Sequence, residues 1–564
     1  MVCLILVTSE VSAQRKNHRY DVILRNGVVV DGSGKPAFRG DVAIDDDRIA
    51  AIGDLSQSRG RKVIDCRSLI VAPGFINMLS WATESLLVDG RSQSDIRQGV
   101  TLEVFGEGWS LGPLNEAMRR DMRVSQGDLR YGVPWQSLRE YLLHLQHHGV
   151  ACNVASLVGA TTVRIHELGY ENRAPTPSEL ARMEQLVREA MEDGALGLGS
   201  SLIYAPAFYA DTDELVALCK VVAQYDGLYM SHVRSEGNQL IEAVDEFLEI
   251  VRRSGVRGEI YHLKAAGKNN WHKLDQVIEK INQARDQGLQ VSADMYNYTA
   301  GATGLNASMP PWVQEGGLRD WIERMRDPAI RARLILEMRT SSNEWENLLL
   351  AAGTPENVLL TGFKNQKMKR YTGKTLGQVA RQIGKSAEET AMDLVIKDGS
   401  RVEAVYFFMS EENVKKKIQI PWVSFCSDAP SISSEGVFLR SQPHPRTYGS
   451  FARLLGKYVR EEQVISLPQA IHRLTAMPAE NLRLTHRGRL AEGYFADVVV
   501  FNPATIADRA TYDSPHQYAT GMRHVFVNGK PVLLRGKLTG ALPGKMVVRN
   551  GAVKNSAVRN SANK

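Results

Sequence analysis

Apolar and polar positions fall into distinct textures along the chain. From 20 to 70, short apolar runs such as Val22-Ile23-Leu24 and Val28-Val29-Val30 are broken by the turn pairs Asn26-Gly27, Asp31-Gly32 and Ser33-Gly34. Such runs between close turn signals predict short antiparallel strands. The texture returns at 489–548, with Val498-Val499-Val500-Phe501, His524-Val525-Phe526-Val527 and the turn pair Asn528-Gly529. The two β-rich ends, 14–72 and 485–552, are expected to complete one sheet domain between them.

Between those ends, strand-length apolar runs alternate with helix-period segments at 178–193, 212–224 and 237–254. That alternation predicts a parallel sheet covered by helices, an α/β fold. Strand-like runs fall at 70–76, 101–105, 152–158, 196–200, 228–231, 259–261, 290–293 and 422–425. Eight is the number that a (β/α)8 TIM-like barrel requires, and 73–484 is assigned to it. The spacer between the last two runs is longer than one helix needs and carries helical patterns at 318–338 and 343–352. Segment 306–375 therefore reads as an insertion over the barrel mouth. The polar end, 553–564, repeats Asn-Ser-Ala and predicts a disordered tail.

Composition narrows the class. The length of 564 residues exceeds the roughly 250–300 at which single cores stop growing, so a large barrel with additions is affordable. Apolar content of 43% with 23% charged residues excludes wholesale disorder and a membrane bundle. The net charge of +6 comes with no basic run and no interleaved aromatics, so no nucleic-acid footprint is present. The five cysteines are dispersed, lack any CxxC pair and are expected to be buried, inert thiols. Residues 1–13 form an apolar run ending in Val11-Ser12-Ala13, similar to the latter part of a secretory signal peptide but without its positive start. Export to the periplasm or beyond is the expectation, the alternative being a bland frayed terminus on a cytoplasmic protein, and no later stretch approaches the length of a membrane span.

Barrel active sites sit at the C-terminal ends of the strands, so the polar residues that close each run carry the chemistry. His232 closes the fifth run and His262 the sixth; Asp428 follows the eighth, and Glu107 follows the second across Gly106. Two imidazoles and a carboxylate on converging strand ends make an open metal site with one position left for water. Glu103 is the competing inward carboxylate on the second run. Lys264 lies two residues beyond His262 on the same face of an extended run, and Tyr296 follows the seventh strand. Arg440 and Arg446 are further candidates for a substrate carboxylate, because a guanidinium fork suits bidentate pairing.

The same segments carry a family resemblance. Ala72-Pro73-Gly74-Phe75-Ile76 resembles the opening of an amidohydrolase. Ser231-His232-Val233-Arg234-Ser235-Glu236-Gly237, His262-Leu263-Lys264-Ala265-Ala266-Gly267, His444-Pro445-Arg446-Thr447-Tyr448-Gly449 and the segment 488–497 are similar to the N-acyl-D-amino-acid deacylases. The resemblance implies a distorted barrel with a β-sandwich and release of a D-amino acid from its N-acyl derivative. It implies that His232 and His262 hold zinc, that Asp428 handles the attacking water, and that Lys264, Tyr296 and Tyr204 line the pocket; Glu107 stands where members often place a metal-binding cysteine, and a carboxylate there can still ligate zinc or another divalent ion. The implied partner is a small N-acyl amino acid. The family also reads Asp-x-His-x-His after the Pro-Gly-Phe-Ile signature, whereas this chain has Asn77-Met78-Leu79-Ser80-Trp81. Leu79 and Trp81 cannot ligate a metal, so one zinc is expected rather than two. Two readings of this change stand: apolar volume that reshapes the pocket, or loss of catalysis in a barrel kept for binding. Cleavage of a cyclic amide is the other enzymatic reading.

Overall fold

The structure is a computed structural model and describes residues 18–549. The signal-like segment and the polar tail lie outside the described residues. Strands from both ends of the chain, Arg19–Val29 through Ile70–Pro73 and Val498–Phe501 through Lys537–Leu538, form one nine-stranded sheet. Alternate residues of both ends, including Val22, Leu24, Val42, Ile44, Val498, Val500 and Phe526, meet in one apolar cluster, the core of the β-sandwich.

The apolar run 70–76 does not form a single strand. Ile70–Pro73 pairs with Val498–Phe501 in the terminal sheet, and after Gly74 the segment Phe75–Asn77 becomes the first barrel strand, parallel to Val100–Phe105. Parallel pairing then continues through Asn153–Ser156, and from Val158–Gly159 through Gly197–Ser201, Leu228–His232, Arg257–Ile260 and Val291–Ala293. The eighth run, 422–425, lacks a regular ladder but closes the ring. Ser424 N–H donates to Ala293 O at 2.8 Å, and Trp81 N–H donates to Ala429 O at 3.0 Å. The barrel is thus a TIM-like fold closed by a few bridges at its last seam.

Between the seventh and eighth strands the additional structure extends beyond 306–375. A three-stranded antiparallel sheet of Ala300–Gly304, Glu403–Phe407 and Val358–Gly362 frames it. Ala300–Gly304 reads Ala-Gly-Ala-Thr-Gly, whose small side chains give no alternating apolar signal, so its strand is invisible to patterning. The helix expected at 318–338 breaks into Leu318–Arg324 and Pro328–Arg339, because Pro328 cannot continue a helix and Asp327 caps the second one. Only Leu348–Ala351 of 343–352 is helical. Cys66, Cys152, Cys219 and Cys426 are buried and free, and burial pushes the Cys66 thiol up to about 12.

Candidate active site

The strand ends bring Glu107, His232 and His262 together in the barrel mouth. All three are buried, and their ligand atoms lie within 4.8 Å of one another. One carboxylate oxygen, Glu107 Oε1, lies 2.9 Å from His232 Nδ1 and 2.9 Å from His262 Nε2. Glu107 can stand there because glycines flank it. A Cβ on Gly106 would lie 2.5 Å from Leu157 O, and one on Gly108 would lie 2.1 Å from Ser201 Oγ, so the loop passes closer to its neighbours than any side chain permits. Glu103, the competing carboxylate, instead accepts from Ser80 Oγ at 2.9 Å within the barrel.

His262 and Asp428 both have left-handed backbones, with φ of 34° and 48°. Non-glycine residues rarely hold that conformation without support. Here His262 N–H donates to Asp294 Oδ1 at 2.7 Å, and Asp428 N–H donates to Leu79 O at 2.9 Å. On its other edge, His262 Nδ1 is 2.8 Å from Lys264 Nζ and 3.2 Å from Glu236 Oε1. Glu236 is paired in turn with Lys264 at 2.5 Å.

Glu107 and His262 hold each other in their charged forms. Burial opposes ionisation of Glu107, but the His262 and His232 imidazoles outweigh it and hold the carboxyl well below the usual range. Burial and Lys264 lower His262, yet Glu107, Glu236 and Asp428 carry it up to about 10. Carboxylates and imidazoles converging on one point, with the outer imidazole edge fixed by hydrogen bonds, fit a His2Glu divalent-metal centre.

Asp428 faces this cluster. Its Oδ1 accepts from Trp81 Nε1 at 3.1 Å, and its Oδ2 lies 2.7 Å from Arg446 Nη1. Burial raises the Asp428 carboxyl, and Arg446 and His262 restrain the rise. Arg446 is itself buried, lies 4.4 Å over the Tyr296 ring, and has no hydrogen-bond partner for Nε. Lys264 Nζ lies 5.5 Å from the same ring centre, so two cations flank Tyr296. Tyr204 stands edge-on to His232, with ring centres 5.4 Å apart. Arg440 does not join them: it is exposed at the surface, 3.2 Å from Asp128.

Two site features escape sequence reading. Glu236 sits in the loop four residues beyond His232; a carboxylate so close behind a ligand-bearing strand end was the available signal. Trp81 does not fill its position with apolar volume alone, because its indole N–H also reaches Glu107 Oε2 at 3.1 Å.

A parallel barrel with this strand-end cluster defines the amidohydrolase class of architecture. The Amidohydrolase family matches residues 133–533, and the chain belongs to that family, in its D-aminoacylase and N-acyl-D-amino-acid deacylase branch. D-aminoacylase of Alcaligenes xylosoxydans xylosoxydans is 32% identical over 544 residues, covering 96% of this chain and 100% of the relative. The crystal structure of N-acyl-D-glutamate deacylase from Bordetella bronchiseptica, complexed with zinc and a phosphonate mimic of the tetrahedral intermediate, is 30% identical with a TM-score of 0.78. It covers 94% of this chain and 100% of that one. A D-aminoacylase structure with a binuclear metal centre, characterised by one-metal activation and second-metal attenuation, is 31% identical with a TM-score of 0.77. Its coverage is likewise 94% and 100%. No helix among the described residues is long and apolar enough to cross a membrane.

Proposed function

We propose that this chain hydrolyses the amide bond of N-acyl-D-amino acids using one divalent metal, zinc by preference, held by Glu107, His232 and His262. The observation that carries the reading is the convergence of two imidazole nitrogens on one buried carboxylate oxygen, with Asp428 facing them. Identity of 30–32% with deacylases along nearly the whole chain supports the substrate class.

Glu107, His232 and His262 would hold a divalent ion, which when bound would supply Lewis-acid polarisation of the amide carbonyl and acidify water at the site. Asp428 takes the proton of that water as the oxygen attacks the carbonyl carbon. Because burial makes its carboxylate more basic than an ordinary aspartate, it holds the proton until the C–N bond breaks. The proton then passes to the leaving nitrogen, giving a carboxylate and a free amine. Arg446 and Lys264, on either side of Tyr296, bind and orient the substrate's free carboxylate, and the unpaired Nε of Arg446 supplies an open donor. Tyr204 closes the wall beside His232. Export rests on the N-terminal sequence, and N-terminal sequencing of the mature protein tests it.

The deciding experiment measures metal content alongside hydrolysis of N-acyl-D-, N-acyl-L- and cyclic amide substrates. Asp428→Asn is expected to keep its metal and lose at least about a hundred-fold in kcat. Full metal content with most of the activity retained rules out the role given to Asp428. Preferential turnover of cyclic substrates overturns the substrate class.

A further inference from the structure

Trp81 bridges two buried carboxylates, Glu107 and Asp428. Its Nε1 is 3.1 Å from Glu107 Oε2 and 3.1 Å from Asp428 Oδ1. The remaining oxygen of each carboxylate is already engaged: Glu107 Oε1 by the two imidazoles, and Asp428 Oδ2 by Arg446. The indole is also held in register with Asp428 by the backbone. Trp81 N–H donates to Ala429 O at 3.0 Å, and Leu79 O accepts from Asp428 N–H at 2.9 Å, one hydrogen bond on each side of the seam that closes the barrel.

A point within hydrogen-bond reach of two buried carboxylates is where a shared cation lowers the energy most, because both charges are poorly screened there. In this chain a neutral donor takes that point. An indole N–H donates one hydrogen and accepts none, so it ties the two oxygens without adding charge and cannot be removed by a chelator. Leu79, buried on the same strand extension, brings no ligand atom to the spot.

We propose that the Trp81 indole N–H stands in for a second metal ion: it fixes the centre at one metal and positions the Asp428 carboxylate. Trp81 is a positioning residue, acting through Asp428 and Glu107. With Oε2 tied to the indole, Glu107 offers only Oε1 to the metal, and the orientation of Asp428 is independent of how much free metal is present. The D-aminoacylase relative is described as attenuated by its second metal; this chain would be insensitive to excess metal by construction. The inference rests on the single-metal hydrolase reading above.

The test uses the full-length holoenzyme, dialysed against excess zinc and assayed for bound metal by plasma emission, with Trp81→Phe and Trp81→His beside the wild type. Wild type and Trp81→Phe are expected to hold one equivalent, and Trp81→His two. Trp81→Phe, which keeps a ring on the same wall, is expected to lose at least about ten-fold in kcat with KM within about two-fold. Trp81→His is expected to become inhibited by added zinc while the wild type does not. Two equivalents in the wild type, one in Trp81→His, or an unchanged kcat in Trp81→Phe overturns the proposal. Metal counts do not depend on the amide cleaved. A wild type that holds one metal but ignores every N-acyl-D-amino acid therefore refutes the hydrolase reading and leaves the metal count standing; one that holds none refutes both.

Discussion

Glu236 shows how much of a strand-end site depends on a residue that ligates nothing. Its Oε1 is 2.5 Å from Lys264 Nζ and 3.2 Å from His262 Nδ1, its Oε2 is 3.6 Å from His232 Nε2, and its backbone N–H is held by Glu346 at 2.8 Å. Burial opposes its ionisation, but His232, Lys264 and His262 hold the carboxyl well below the ordinary range. Removing that charge loosens both imidazoles and leaves the Lys264 cation against His262 Nδ1 without its counter-charge. Glu236→Gln should therefore weaken metal binding by about ten- to a hundred-fold, read by competition with a chromophoric chelator. Unchanged affinity would mean that the loop backbone alone sets the imidazoles. His232, His262 and Asp428 were legible in the sequence because each closes or closely follows a strand-length apolar run, whose period marks the end of the barrel where active sites form. Glu236, in a turning loop, has no such period to fix it. The same difference separates the two arginines: Arg446 opens the helix Arg446–Arg453 and is buried against Tyr296, whereas Arg440 ends a surface turn.

At the scale of elements, the barrel strands were readable because strands buried on both faces are continuous apolar runs, and the flanking helices because one stripe of each is apolar. What escaped were elements built from small or irregular residues, such as Ala300–Gly304, and the switch at Gly74, where one apolar run serves two sheets. In the terminal sheet, the strand Met522–Val527 buries a histidine. Burial, reinforced by Arg523, Arg535 and Lys62, pushes His524 down to about 4, and its Nδ1 accepts from Arg535 N–H at 3.3 Å. An unfolded chain protonates this ring near pH 6.5, so between there and pH 4 the unfolded state holds a proton that the folded state does not. His524 thus contributes stability that is fully present above about pH 6.5 and is lost as pH falls toward 4. His524→Asn keeps an acceptor without a titrating ring. Urea denaturation should show its stability falling less than that of the wild type between pH 7 and pH 4.5; equal slopes would place the acid sensitivity elsewhere.

For the whole molecule, the question is whether the terminal sheet and the barrel are one cooperative unit. A buried polar node joins them. Asp497, just before the strand Val498–Phe501, accepts from Asn528 N–H at 2.8 Å and from Asn153 Nδ2 at 3.3 Å, and it is ion-paired with the buried Arg487. Asn153 belongs to the third barrel strand, and its Oδ1 accepts in turn from Asn528 Nδ2 at 2.8 Å. The Asp497 carbonyl takes Gly74 N–H at 2.8 Å, the residue at which the chain passes from sheet to barrel. Asp497→Ala leaves the Arg487 cation and the Asn153 amide without their carboxylate, a loss of about 3 kcal/mol for a buried pair broken on one side. The eight tryptophans all lie between Trp81 and Trp422, so intrinsic fluorescence reports the barrel and its additions but not the terminal strands. If sheet and barrel fold as one unit, Asp497→Ala lowers the fluorescence midpoint in denaturant by the same free energy that far-ultraviolet circular dichroism reports. If the sheet melts independently, the tryptophan transition stays where it was while circular dichroism acquires a second, earlier step. The placement of Asn153 on a barrel strand, inside the network that holds the sheet, favours the single transition.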